Sequence, residues 1–292
     1  MIKTSQLVKR YGDTTAVDGV ELDVSEGSVY GLVGPNGAGK TTLLGLLAGL
    51  RQPTSGSLHI AADHEDIAVL PDTPRFDQWL TGREVVALAQ HLATGVDDPE
   101  AVDAVLEEAG IGHAADRRVG GYSRGMLQRL GIAATVVGSP RLLLLDEPAS
   151  ALDPQGRREV LDLVARLRGS ATVLFSSHIL GDVQEVCDTV GILDQGHLLF
   201  QGPIQQLLVG SAVPQYLIRL RPPIGPVAEV LRSQPWITDV AATDGEELLI
   251  TVSNLDDVEL KLSGALSDAG ARVVSIGPKA VTLEQAFLEV TR

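Results

Sequence analysis

Nine residues, Gly34-Pro35-Asn36-Gly37-Ala38-Gly39-Lys40-Thr41-Thr42, combine the residue types a polyphosphate requires, at the spacing G-x-x-x-x-G-K-[ST]. The glycines let successive backbone N–H groups turn toward one centre with no Cβ between them, and a helix that follows adds the favourable end of its dipole. Lys40 would set its ammonium on the β- and γ-phosphates of a nucleotide, and the Thr41 hydroxyl would ligate Mg²⁺. An ordinary glycine-rich turn is the alternative, and the flanks weigh against it. An apolar run, Ser28 to Val33, precedes the segment, and Leu43, Leu44, Leu46, Leu47 and Leu50 follow at helical spacing.

A second candidate is Leu142-Leu143-Leu144-Leu145-Asp146-Glu147-Pro148. An apolar strand of this kind is buried, and it delivers two carboxylates to the edge of the sheet where the phosphate loop also lies. Asp146 suits a direct or water-mediated Mg²⁺ position. Glu147 suits the general base that orients an attacking water. Alone, such an acidic pair would read as a solvated turn; its order after a phosphate loop argues otherwise.

The elements that must hold these groups alternate in type. Strands are expected at 28–33, 142–145 and 172–176, and helices at 43–50, 156–168 and 180–187, with about 82–135 reading as helical and Glu100 to Ala109 a clear example. That alternation predicts a parallel α/β sheet. Near residue 210 prolines cluster (Pro214, Pro222, Pro223, Pro226) and the phosphate-type motifs stop. A small α+β module is expected beyond, with strands at 216–220, 247–252 and 272–276 and helices at 227–232 and 256–269. The domains are therefore set at 1–210 and 211–292, with a helical subdomain at about 73–137.

Composition limits what the molecule can be. Of 292 residues 38 are acidic and 23 basic, a net charge of −15, so attraction to nucleic acid or anionic lipid is excluded as a way of life. A 44% hydrophobic content supplies a core. Cys187 is the single cysteine, which rules out an internal disulfide. No apolar run approaches the roughly 20 residues that cross a bilayer, and the first residues do not lead into a signal-peptide pattern; a cytoplasmic location is expected.

Taken together, the motifs resemble the nucleotide-binding subunit of the ATP-binding cassette (ABC) family over residues 2 to about 210. Tyr11 matches the aromatic that stacks on adenine in that family. Tyr122-Ser123-Arg124-Gly125-Met126 resembles its signature segment, Ser150-Ala151-Leu152-Asp153-Pro154 its coupling loop, and His178 its switch histidine. The resemblance implies that the Ser123 hydroxyl and Gly125 N–H cap the γ-phosphate of ATP held by another subunit. It also implies that Asp153 couples the two sites and that His178 contacts γ-phosphate and the catalytic water. Singly, each has an ordinary reading: a surface tyrosine, a helix cap, a hydrogen-bonded histidine. Their shared order is what counts. ATP and Mg²⁺ are the implied cofactors, and a second cassette, paired head to tail as a homodimer, is an implied partner.

Two positions depart from the family pattern. Arg124 and Met126 stand where the usual signature has Gly and Gln, a variant that resembles drug- and antibiotic-exporter ATPases. Asp72, after Ile67-Ala68-Val69-Leu70-Pro71, stands where many members carry Gln, and its carboxylate could still touch Mg²⁺ or water. Residues 281–291 resemble the closing motif of an accessory domain found after such ATPases. The expectation is an exporter ATPase at the inner face of a membrane, attached to a separate transmembrane permease through the surface around Phe76, Trp79 and Arg83. An importer ATPase and a soluble, non-transport ABC ATPase are the alternatives.

Overall fold

The computed structural model describes residues 1–150, 152–210, 215–243, 246–253, 255–279 and 287. The chain divides into two compact units, Met1–Ile204 and Gln205–Glu289. In chain order the first contains β1 (Ile2–Tyr11), β2 (Thr14–Val20), β3 (Asp23–Val24), β4 (Val29–Val33), α1 (Lys40–Leu47), β5 (Ser55–Ile60) and β6 (Ile67–Leu70). Then come α2 (Gly82–Thr94), α3 (Pro99–Glu108), α4 (Arg124–Val136), β7 (Leu142–Asp146), α5 (Pro154–Arg166), β8 (Thr172–Ser177), α6 (Leu180–Val186), β9 (Thr189–Asp194) and β10 (His197–Pro203).

The central sheet runs β10-β9-β4-β8-β7-β6, parallel except for β10, which pairs antiparallel with β9. β4, β7 and β8 are buried along their whole length. That is why they are continuous apolar runs rather than alternating ones. Their carboxyl ends carry the phosphate loop, Asp146-Glu147 and His178. A second, antiparallel sheet of β1, β2, β3 and β5 packs its Ile2, Leu7, Val17 and Val20 with Leu43 and Leu46 of α1 in one core.

The stretch expected to be helical over 82–135 is three helices. Gly95, at φ +70°, closes α2 in the left-handed conformation. Asp98 then accepts from the Glu100 and Ala101 N–H groups and Pro99 starts α3, so the chain restarts rather than continues. These helices share a separate core built on Val86, Leu106, Ile111 and Leu130.

α7 (Ile204–Gly210) follows β10. The second unit then reads β11 (Gln215–Arg221), α8 (Gly225–Arg232), β12 (Ile237–Thr243), β13 (Glu247–Val252), α9 (Leu255–Asp268) and β14 (Arg272–Pro278). Its sheet is antiparallel in the order β12-β13-β11-β14. A β-α-β-β-α-β chain with that order is the ferredoxin-like arrangement. Ile218, Leu220, Leu248 and Ile250 of the sheet pack with Leu231 and Leu262 of the two helices. The closing segment 281–291 lies, apart from Phe287, outside the described residues, as does Ala151 of the coupling loop.

Candidate active site

The phosphate loop joins β4 to α1 and leaves no room for side chains at two points. A Cβ on Gly34 would stand 2.1 Å from the Leu193 carbonyl oxygen, and one on Gly39, at φ +107°, would stand 2.3 Å from that of Ala16. The loop is thus pressed against the ends of β9 and β2, and the first amides of α1, which have no intrahelical partner, open beside it. Asn36, Gly37, Ala38, Gly39, Lys40, Thr41 and Thr42 line a cleft of about 460 Å³. Lys40 is buried there and donates to the Gly34 (2.8 Å) and Pro35 (3.2 Å) carbonyls, with Glu147 Oε1 3.4 Å from its ammonium.

β7 brings the acidic pair to the same place. Asp146 is buried and accepts from Ser176 Oγ at 2.5 Å; the same oxygen accepts from the Glu147 N–H at 3.0 Å. One hydroxyl on the neighbouring strand β8 therefore fixes both residues. Glu147 sits at φ +49°, a left-handed conformation that is strained for a side-chain-bearing residue and recurs at functional sites. His178 Nδ1 lies 2.7 Å from Glu147 Oε2. An ionised carboxylate only accepts, so this bond puts the ring proton on Nδ1. Asp72 lines the cleft as well and accepts from the Ser150 hydroxyl at 3.4 Å.

The remaining sequence-derived residues lie elsewhere. Ser123, Gly125 and Asp153 line a separate recess of about 410 Å³ together with Leu152 and Arg129. Ser123 caps α4 by accepting from the Met126 N–H, and Asp153 caps α5 by accepting from that of Gly156. Tyr11 is not among the residues lining the cleft. Its hydroxyl accepts from Arg51 at 2.5 Å, and the Lys9 ammonium and Arg51 guanidinium lie 5.1 and 5.6 Å from its ring centre. Asp146 lines, with Thr41, a further recess, and Thr41 lines the cleft as well. Of the group at 76–83, Trp79 is 66% exposed, Phe76 packs on the helical core and Arg83 is held by Asp103 and Asp116.

Three features escaped the sequence reading. Ser176 is the shared partner of Asp146 and Glu147. Arg157 of α5 pairs with the buried Asp182 of α6 at 2.5 Å, tying the helix after Asp153 to the helix after His178. Burial raises the Asp182 carboxyl above its usual range, and the Arg157 contact opposes that shift. Arg124 lines the nucleotide cleft, apart from its neighbours Ser123 and Gly125. The Ser-Ser-His run before residue 179 was the only local signal for Ser176.

A glycine cradle at the carboxyl edge of a parallel sheet, a buried lysine and an acid pair at the end of β7, two strands away across β8, define a phosphate-loop nucleotide-binding domain. Comparison with known proteins narrows this. The family described as "ABC transporter" matches residues 17–150. The chain is 35% identical over 297 residues to "Uncharacterized ABC transporter ATP-binding protein YxlF" of Bacillus subtilis, covering 99% of each. It is 38% identical over 218 residues to "Bacitracin transport ATP-binding protein BcrA" of Bacillus licheniformis, covering 71% of each. A solved "ATP binding subunit of ABC transporter" superposes with a TM-score of 0.66 at 26% identity, over 72% of this chain and 92% of that one. The chain belongs to the ABC transporter family as an ATP-binding subunit, and members of that family hydrolyse ATP.

Proposed function

We propose that the chain drives an exporter, hydrolysing ATP through Glu147. The observation that carries this reading is the Glu147 carboxylate, 3.4 Å from Lys40 Nζ and 2.7 Å from His178 Nδ1. When the Lys40 ammonium moves onto phosphate oxygens, Glu147 is left hydrogen-bonded to His178 alone and free to accept a proton from water. That water attacks the γ-phosphorus in line, and the bond to the ADP oxygen breaks. His178, its Nδ1–H committed to Glu147, presents Nε2 as its remaining polar atom.

Among the described residues no three His, Cys, Asp or Glu side chains form a metal cage. The donor set fits Mg²⁺ nonetheless, because that ion takes one or two protein oxygens and completes its shell with phosphate and water. Thr41 and Asp146 line one recess and would hold it. Bound there, Mg²⁺ would neutralise charge building on the phosphates. Asp72, held by Ser150, would orient a water of that shell. Tyr11, braced by Lys9 and Arg51, would stack on adenine.

Ser123, Gly125 and Asp153 would serve the partner's nucleotide in a head-to-tail homodimer, a reading supported by the separate recess they line. No helix among the described residues is long and apolar enough to cross a membrane. Coupling to transport would therefore run through a permease that holds the chain at the inner face of the membrane, with Trp79 as a contact. The likeness to a bacitracin transport subunit and the Arg124 and Met126 variant of the signature support export over import. In the Glu147→Gln variant, steady-state ATP hydrolysis should fall about a hundredfold or more, while ATP still binds. Unchanged hydrolysis would overturn the general-base role.

A further inference from the structure

We propose that Arg124 is a second cationic ligand of the triphosphate in its own chain's cleft, although the segment carrying it is assigned to the nucleotide of a partner. The placement follows from the face of α4. Residues 124, 128 and 131 share one face of that helix. At Gly131 this face packs so closely on Leu70 and Pro74 that a Cβ would lie 2.6 Å from Leu70 Cδ1. One turn earlier Gln128 is buried, at 2% exposure. The face therefore lies along the segment that carries Asp72, and Arg124 extends it into the cleft shared by Asp72, Ser150, Glu147 and Lys40. Ser123 and Gly125, on either side, open into the other recess.

Charge gives the reason. In this cleft Lys40 faces two carboxylates, Glu147 and Asp72, and a triphosphate would add several negative charges. Arg124 is exposed and makes no ion pair among the described residues, so its charge is not already spent on a protein partner. A guanidinium offers several N–H donors in one plane and stays protonated at any working pH, which suits terminal phosphate oxygens. The position filled by glycine in the usual signature thus carries, in this chain, a cation that distinguishes a triphosphate from a diphosphate.

This inference rests on the reading of the cleft as the ATP site, and the test separates the two. Binding of Mg²⁺–AMP-PNP and of Mg²⁺–ADP would be measured by calorimetry on the full chain, at concentrations where sedimentation reports a monomer. Arg124→Ala should weaken AMP-PNP about tenfold and ADP less than about twofold, with most of the loss restored in Arg124→Lys. The difference should shrink as salt is raised. Lys40→Ala should lose both nucleotides. If Arg124→Ala binds AMP-PNP as the wild type does, the inference falls while the nucleotide site stands. If wild-type monomer binds neither nucleotide, the site reading falls with it.

Discussion

Single side chains in this cleft carry more than one duty, and Ser176 illustrates it. Its hydroxyl donates to Asp146 and accepts from the Glu147 N–H, so a group with no chemistry of its own sets the angle between the two acids. The acids themselves were legible in the sequence because a strand of leucines ending in Asp-Glu follows a phosphate loop in the order the chemistry needs. Ser176 and Arg124 were not, since their roles come from neighbours more than 20 positions away. Cys187 supplies a prediction at this scale. Burial pushes its thiol well above the ordinary cysteine range, and Asp188 adds to the shift. With so little thiolate near pH 8, native protein should react with an aromatic disulfide reagent at least about tenfold more slowly than guanidinium-unfolded protein. Equal rates would show that the thiol is not held as described.

At the scale of elements, the phosphate loop works because two neighbouring strand ends press on it. Gly34 and Gly39 stand within contact of backbone carbonyls at Leu193 and Ala16, which cannot swing aside as a side chain can. Gly34→Ala should therefore cost about 2 kcal/mol or more and lower the melting temperature by several degrees, with nucleotide binding lost even well below it. Gly37, also at positive φ but with nothing within 4 Å, should tolerate alanine with a smaller loss. A melting curve and a binding isotherm for each variant check this ordering. The buried strands β4, β7 and β8 could be read from the sequence as apolar runs. β6, β9 and β10 could not: β6 has four residues and is half covered, and β10 alternates half-buried Leu198 and Phe200 with exposed His197 and Leu199 on the antiparallel edge. The break between α2 and α3 turned on Gly95 and on the Asp98-Pro99 cap, signals that the overall periodicity masks. The 2-3-1-4 order of the C-terminal strands rests on pairings between distant segments, which local patterns do not encode.

For the whole molecule, a net charge of −15 and a site for a polyanion coexist because the attraction is local. Backbone amides, Lys40 and Arg124 act within a few ångströms, whereas the remaining surface charge is screened beyond roughly 8 Å at physiological salt. A charge of this sign offers no long-range attraction to nucleic acid. Ser123, Gly125 and Asp153 line a recess separate from the phosphate cleft, so in the proposed head-to-tail pairing each chain would carry two half-sites and pairing would complete both at once. Closure would then follow from ATP binding more tightly to the paired state than to the single chain. Light scattering on Glu147→Gln with saturating Mg²⁺–ATP tests this account most directly. The account predicts a particle of twice the mass of one chain that reverts to single chains when ATP is replaced by ADP. A single-chain mass with ATP bound would contradict it.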